Sequence, residues 1–320
     1  MASEPFSLKT YTVLLTTFSC LSCGTSLFTF YAILFKTPPT LKAYKIQFFM
    51  LNLWYQVAVF FAGFFGRIDV NLSVDDAVCV RLEGLIEMFS DYHMAAPYVE
   101  MFAHVFTIGN IVNSVFYLTL HRYFRVCRST SIYWNKPRMR KAVKVAFSLA
   151  VTGTTSTLFV FCVHCNKTLS RPNDAAHFCF DISPLLYFFI GLVSCHVIAT
   201  MLVGLFAAVR LLLANRVKLS TASKKTRELS RMLTWTVVVS AVIPTIFGAI
   251  PVLAGIAVTA TKMAHATSVF RLAFVLCVFQ AFLHSAATLV LVKPYRLFML
   301  SLVPVEKWKK TTLYPLVPVY

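Results

Sequence analysis

The chain has 320 residues, of which 58% are hydrophobic and only 13% charged, with a mean hydropathy of +0.73. A soluble domain carries about 25% charged residues, so this composition excludes a soluble enzyme, a disordered protein and a small disulfide-stapled domain. The formal charge of +18 would suit a nucleic-acid binder, but such a protein needs its basic side chains on a wetted surface, and the apolar content points to the lipid bilayer instead.

A helix crosses roughly 30 Å of hydrocarbon with about 20 mostly apolar residues. Stretches of 21 or more residues without Asp, Glu, Lys or Arg occur seven times, at 10–35, 46–66, 101–121, 145–166, 182–209, 232–261 and 272–292. No alternating barrel pattern accompanies them, and helices and closed barrels are the only viable spans. The expectation is an all-α membrane protein, a seven-transmembrane helix bundle with spans near 11–35, 46–65, 96–120, 142–163, 185–213, 232–257 and 268–292. One domain fills 1–320, with 293–320 as a short tail. The first stretch is too long for the apolar part of a cleavable leader and is expected to stay as a signal anchor.

The loop after the second span carries the sequon Asn71-Leu72-Ser73, and the loop after the fourth carries Asn166-Lys167-Thr168. Both Asn71 and Asn166 are expected glycosylation sites if those loops face outward. Cys79 precedes the third span, while Cys165 and Cys179 lie in the loop before the fifth. A disulfide from Cys79 to one of these two would pin that loop over the bundle mouth, with Cys179 the preferred partner. Of the other cysteines, five lie in apolar stretches, and Cys127 is expected to be a cytoplasmic free thiol.

In the third span Glu100 is a carboxylate about one turn from the outer start, and His104 follows on the same face. An ionisable group at membrane depth is costly and marks a functional position by default. Glu100, His104 and Thr107 are therefore expected to line an upper ligand pocket, with Asn110 and Asn113 fastening helices on a neighbouring face. In the sixth span Pro244 and Pro251 should kink the helix. In the seventh, Arg271 near the outer end could pair with Glu100 or an anionic ligand. It lies about 180° from Gln280, so those two should not share a pocket. His196 in the fifth span is expected to be a satisfied interhelical histidine.

Placing the N-terminus outside puts 23 of the 30 Lys and Arg on the inner side and 10 of the 12 Asp and Glu on the outer. By the positive-inside rule the N-terminus is outside and the C-terminus cytoplasmic. Both sequons then face outward. The inner loops form a basic platform that includes Arg122, Tyr123, Arg125, Lys224, Lys225, Arg227 and Arg231. Part of it serves anionic lipid, and the remainder suits an acidic partner such as a heterotrimeric G protein. The tail segment Glu306-Lys307-Trp308-Lys309-Lys310 is expected at the interface.

Several motifs resemble those of nematode seven-helix chemoreceptors, the serpentine receptors, with class H closest and the class I and Str group next. They are Phe35-Lys36-Thr37-Pro38 with Tyr44-Lys45, then Ser223-Lys224-Lys225-Thr226-Arg227-Glu228-Leu229 before the two sixth-span prolines, then Lys293-Pro294-Tyr295-Arg296. The chain departs from rhodopsin-like receptors in having His121 before Arg122-Tyr123, no Asn-Pro-x-x-Tyr, and Thr234-Trp235-Thr236 early in the sixth span. The resemblance implies a G-protein-coupled chemosensory receptor for a small external cue, at the plasma membrane and in a sensory-neuron cilium. A transporter or channel for a small solute is the alternative, weakened by the lack of repeated halves. No paired core carboxylates or H-E-x-x-H motif points to an enzyme, no metal or cofactor is expected, and residues 268–292 hold no Lys for a retinal Schiff base.

Overall fold

A computed structural model of the chain describes residues 6–72, 77–86, 95–127, 137–165, 177–181, 184–218, 223–261, 263 and 265–302. Within these, seven helices are long and apolar enough to cross a bilayer: Leu8–Phe35, Pro39–Phe65, Tyr98–Cys127, Lys144–Phe161, Tyr187–Ala214, Thr226–Val258 and Ala266–Leu291. These are the first to seventh spans below. The fold is a seven-helix bundle, as the apolar stretches predict.

Local chemistry sets where the helices begin and stop. Ser7 caps the first by accepting a bond from the Thr10 amide at 3.2 Å, and Ser223 caps the sixth by accepting from Thr226 at 3.4 Å. The first helix ends at Phe35 ahead of Pro38 and Pro39, and a 3₁₀ turn, Pro39–Leu41, leads into the second. Several helices outrun their charge-free stretches: the third continues to Cys127 and the sixth begins at Lys224. Long basic side chains can leave the hydrocarbon while the backbone stays helical.

Helices in lipid gain little from apolar contact with one another, so polar links and close backbone approach hold the bundle. Ser285 of the seventh span donates to Asn52 of the second at 2.8 Å and meets Ser26 of the first at 2.9 Å. The Gln56 side chain donates to Ser26 as well. Between the third and fourth spans, Asn113 donates to Thr152 at 2.9 Å and Ser148 donates to Asn110 at 3.1 Å. Asn110 and Asn113 fasten helices, as expected. An added Cβ at Gly63 would collide with Ser19, so the first two spans meet there through glycine alone.

The sixth span runs Lys224–Pro244, then a π-helical turn Thr245–Ala249, then Ile250–Ala260. Proline lacks an N–H and its ring crowds the carbonyl four residues back. The wider π turn lies between the two prolines and takes up both defects. Gly248 sits in that turn against the Gln280 side chain, where an added Cβ would collide with the amide oxygen.

The loops contribute a three-stranded antiparallel sheet ordered β1-β2-β3, with β1 Arg67–Leu72, β2 Ala77–Glu83 and β3 His177–Asp181. The first two strands form a hairpin between the second and third spans, and the third comes from the segment before the fifth. Ile68 pairs with Leu82, Val70 with Val80, and Val80 with Phe178. Ile68 and Leu82 are buried with Ile86 against Tyr98, Met101, Phe159, Phe270 and Phe274. The sheet thus caps one end of the bundle. A short helix, Lys293–Leu302, follows the seventh span at the other end, where the buried Tyr295 hydroxyl meets Thr37 at 2.7 Å. Asn166 and the segment Glu306–Lys310 lie outside the described residues.

Candidate functional site

The capped end carries two charged clusters side by side. Glu100 is fully enclosed, with 0% of its surface exposed, so it does not reach outer water. Its Oε1 lies 3.0 Å from His104 Nδ1. That nitrogen is also 3.0 Å from the Glu100 backbone carbonyl, so an Nδ1 hydrogen has both the carbonyl and the carboxylate within reach, and Oε2 finds no hydrogen-bond partner among the described residues. The backbone at Gly66, where the second span ends, packs directly on the Glu100 carboxyl, and a side chain there would occupy the same space. His104 meets the edge of Phe274, and Thr107 one turn further in is buried with its hydroxyl donated to the Ala103 carbonyl.

Arg271 does not pair with Glu100. Its guanidinium grips Asp69 of β1, Nε to Oδ1 at 2.8 Å and Nη2 to Oδ2 at 3.0 Å, while Nη1 donates to the Phe6 carbonyl at 3.1 Å. The planar fork of arginine matches a carboxylate in this bidentate way. Tyr11 of the first span donates to the Ile68 carbonyl at 2.8 Å beside it. Arg271 is therefore the clamp that holds the sheet onto the first and seventh spans. Gln280, on the opposite side of the same helix, faces Gly248, so the expectation that the two line different surroundings is met.

Deeper in the bundle, the Tyr55 ring packs on His284 with centroids 4.7 Å apart, both side chains buried. Tyr55 Oη and His284 Nδ1 have no hydrogen-bond partner among the described residues, and neither does His196 Nε2. Among the described residues nothing supplies at that nitrogen the interhelical bond expected of His196.

At the opposite end, Arg122 is enclosed and not part of the exposed platform. Its Nη2 donates to the Ser230 carbonyl at 2.9 Å and to the Ser230 hydroxyl, and Nη1 reaches Tyr44 Oη at 3.4 Å. One side chain so joins the ends of the third, sixth and second spans. His121, which precedes it, is buried against the edge of Tyr44. Around this junction Arg125, Lys224, Arg227 and Arg231 are exposed and Tyr123 is half-buried, while Lys225 lies on the same helix.

Cys79 and Cys179 are direct partners in the β2–β3 register, and Asn71 on the edge strand β1 pairs with Cys79 on its other side. Sequence reasoning missed Asp69, Gly66, Tyr44 and Ser230. The strands themselves carried a signal, since Ile68, Val70 and Leu72 alternate with Arg67, Asp69 and Asn71, a half-buried strand pattern. Among the described residues no group of three or more His, Cys, Asp or Glu could hold a metal ion.

Residues 7–305 match the family model described as serpentine type 7TM GPCR chemoreceptor Srh. A search of the curated proteins found no match.

Proposed function

The chain belongs to the Srh family of serpentine seven-helix chemoreceptors, and from that premise we propose that it detects a small external chemical cue and signals through a cytoplasmic heterotrimeric G protein. The N-terminus and the sheet face outward and the basic end faces the cytoplasm, on the strength of the charge distribution. The receptor sits in the plasma membrane, in the cilium of a sensory neuron. The observation that carries the signalling reading is the Arg122 junction: an enclosed cation ties the inner ends of the third and sixth spans together through Ser230. Exposed Arg125, Lys224, Arg227 and Arg231 surround it. Release of that tie would part the helices and present the platform to an acidic partner.

At the outer end, Glu100, His104 and Thr107 provide the polar recognition surface. Arg271 acts on it through Asp69, by fixing the sheet that roofs the third span.

The test is a ligand screen in transfected cells with a cAMP, cGMP or calcium reporter. The expected result is a cue-dependent response that falls at least tenfold when Lys224, Arg227 and Arg231 are all changed to Gln, with surface display retained. Solute uptake or conductance by the purified chain in liposomes, with no reporter response in cells, would overturn the reading in favour of a transporter or channel.

A further inference from the structure

Between the third, fifth and sixth spans the bundle holds a partly open cavity of about 50 Å³, walled by Val115, Phe116, Met201, Gly204, Pro244 and Thr245. A close-packed interior seldom leaves such a space, because every lining atom there forfeits dispersion contacts. Gly204 is buried, yet a Cβ added to it would meet no atom within 4 Å. The sixth span cannot close the gap as a regular helix, because Pro244 and Thr245 open its π turn at this wall.

The lining is apolar apart from two hydroxyls, and both have already given their protons to the backbone. Thr200 donates to the His196 carbonyl and Thr245 to the Ala241 carbonyl, each at 2.8 Å. The wall so offers lone pairs and no free side-chain donor. Apolar cavities of this kind stay dry and take apolar guests, benzene filling one of about 150 Å³. A third of that volume fits a guest of about two or three heavy atoms. The fifth-span lining residues Thr200 and Met201 are only half-buried, so the cavity reaches the surface that would face lipid.

We propose that this cavity is a second binding site, distinct from the Glu100–His104 surface, for a compact apolar molecule bearing at most one hydroxyl, a short-chain alcohol, which enters from the bilayer between the fifth and sixth spans. A hydroxyl on the guest finds acceptors in the Thr200 and Thr245 oxygens, and its carbon chain fills the space at Gly204. Occupancy loads the π turn of the same helix whose inner end Arg122 holds. Binding stands independently of the receptor reading; only its effect on signalling rests on it.

The experiment uses the full chain in lipid nanodiscs, with xenon as the apolar probe read by ¹²⁹Xe NMR and ethanol as competitor, against empty nanodiscs. Wild type should give a saturable xenon shift that ethanol displaces. Gly204→Leu should weaken it at least tenfold while the melting temperature holds or rises. Met201→Ala should enlarge the site and raise benzene binding at least tenfold. Should Gly204→Leu fail to fold, Ala241→Val fills the same cavity from the sixth span and replaces it in the comparison. A xenon shift equal in the wild type and the filled variant overturns the proposal. So does a wild type indistinguishable from empty nanodiscs. Saturable xenon binding together with solute uptake or conductance and no reporter response would leave this site standing and remove the receptor reading instead.

Discussion

Arg271 and Asp69 hold each other through two parallel bonds, Nε to Oδ1 at 2.8 Å and Nη2 to Oδ2 at 3.0 Å, with both residues only 6% exposed. Their charges are mutually neutralised in a setting where either alone would be stranded. Removing one partner of a buried pair costs about 3–5 kcal/mol because the other charge stays behind. Arg271→Ala and Asp69→Asn should each lower the melting temperature sharply and cut surface display. The neutral double variant Asp69→Asn/Arg271→Gln should recover part of the loss. Thermal unfolding in nanodiscs with surface immunostaining measures both, and equal losses in single and double variants would remove the clamp.

Cys79 and Cys179 stand directly opposite in the β2–β3 register. Such antiparallel partners have Cα atoms about 4.5–5.5 Å apart, inside the range a disulfide spans. Mass mapping of a non-reduced digest should find these two joined and Cys165 free. Reduction, or Cys179→Ser, should cost about 2–4 kcal/mol for so long a closed loop. A Cys79–Cys165 peptide would defeat the assignment.

The contact between Gly66 and the Glu100 carboxyl gives a reciprocal test. Gly66→Ala should collapse surface display severalfold, because the added methyl takes the space the carboxyl fills. Glu100→Ala in the same chain vacates that space and should restore display. A double variant as poor as Gly66→Ala would locate the damage in the backbone of the second span's end.

Ser230→Ala deletes one of the two acceptors that Arg122 Nη2 finds on that residue. A bond from a charged donor contributes about 1.5–3 kcal/mol, enough to shift a two-state balance by about tenfold or more. Basal reporter activity without any cue should rise accordingly, while surface display stays near wild type. Unchanged basal activity would show that the tie does not restrain the sixth span.

Burial pushes the Tyr295 phenol above the usual tyrosine range, against the smaller opposing effect of its bond to Thr37. The folded chain then keeps a proton that the unfolded chain gives up near pH 10, about the ordinary tyrosine value. Stability should fall as pH climbs past that point. Tyr295→Phe should flatten this decline above about pH 10, at a cost of about 1 kcal/mol near neutrality for the lost bond. Melting curves of the two chains across that window give the comparison, and parallel declines would refute it.

The spans were plain in the sequence because a charge-free stretch of 21 residues leaves few alternatives to a crossing helix. The roles of Asn110 and Asn113 were plain too, since an amide at membrane depth needs a partner on a neighbouring helix. Arg271 was placed at the right depth with the wrong acid, because a one-dimensional pattern ranks Glu100 by its lone position in a span and gives no weight to a loop carboxylate. Asp69 only becomes its neighbour once β1 folds back over the bundle. That strand is legible in the alternation from Arg67 to Leu72, a run too short and too charged to register as a membrane span. Arg122 looked like surface for a similar reason: basic residues near a helix end read as solvated, and nothing in the sequence shows that Ser230 and Tyr44 close around it. The π turn followed from Pro244 and Pro251 only as a generic kink.

The clamp at the capped end also sets an order of assembly. Asp69 precedes Arg271 by 202 residues, so during synthesis the acid is made and delivered long before the base that will neutralise it exists. Until the seventh helix is inserted, the hairpin has no charge partner from that helix, and the leading end of the first helix lacks the bond that Arg271 gives to the Phe6 carbonyl. A chain that stops short of the seventh helix therefore carries Asp69 without the guanidinium that neutralises it in the finished bundle. The last helix to arrive closes the structure that the first two began.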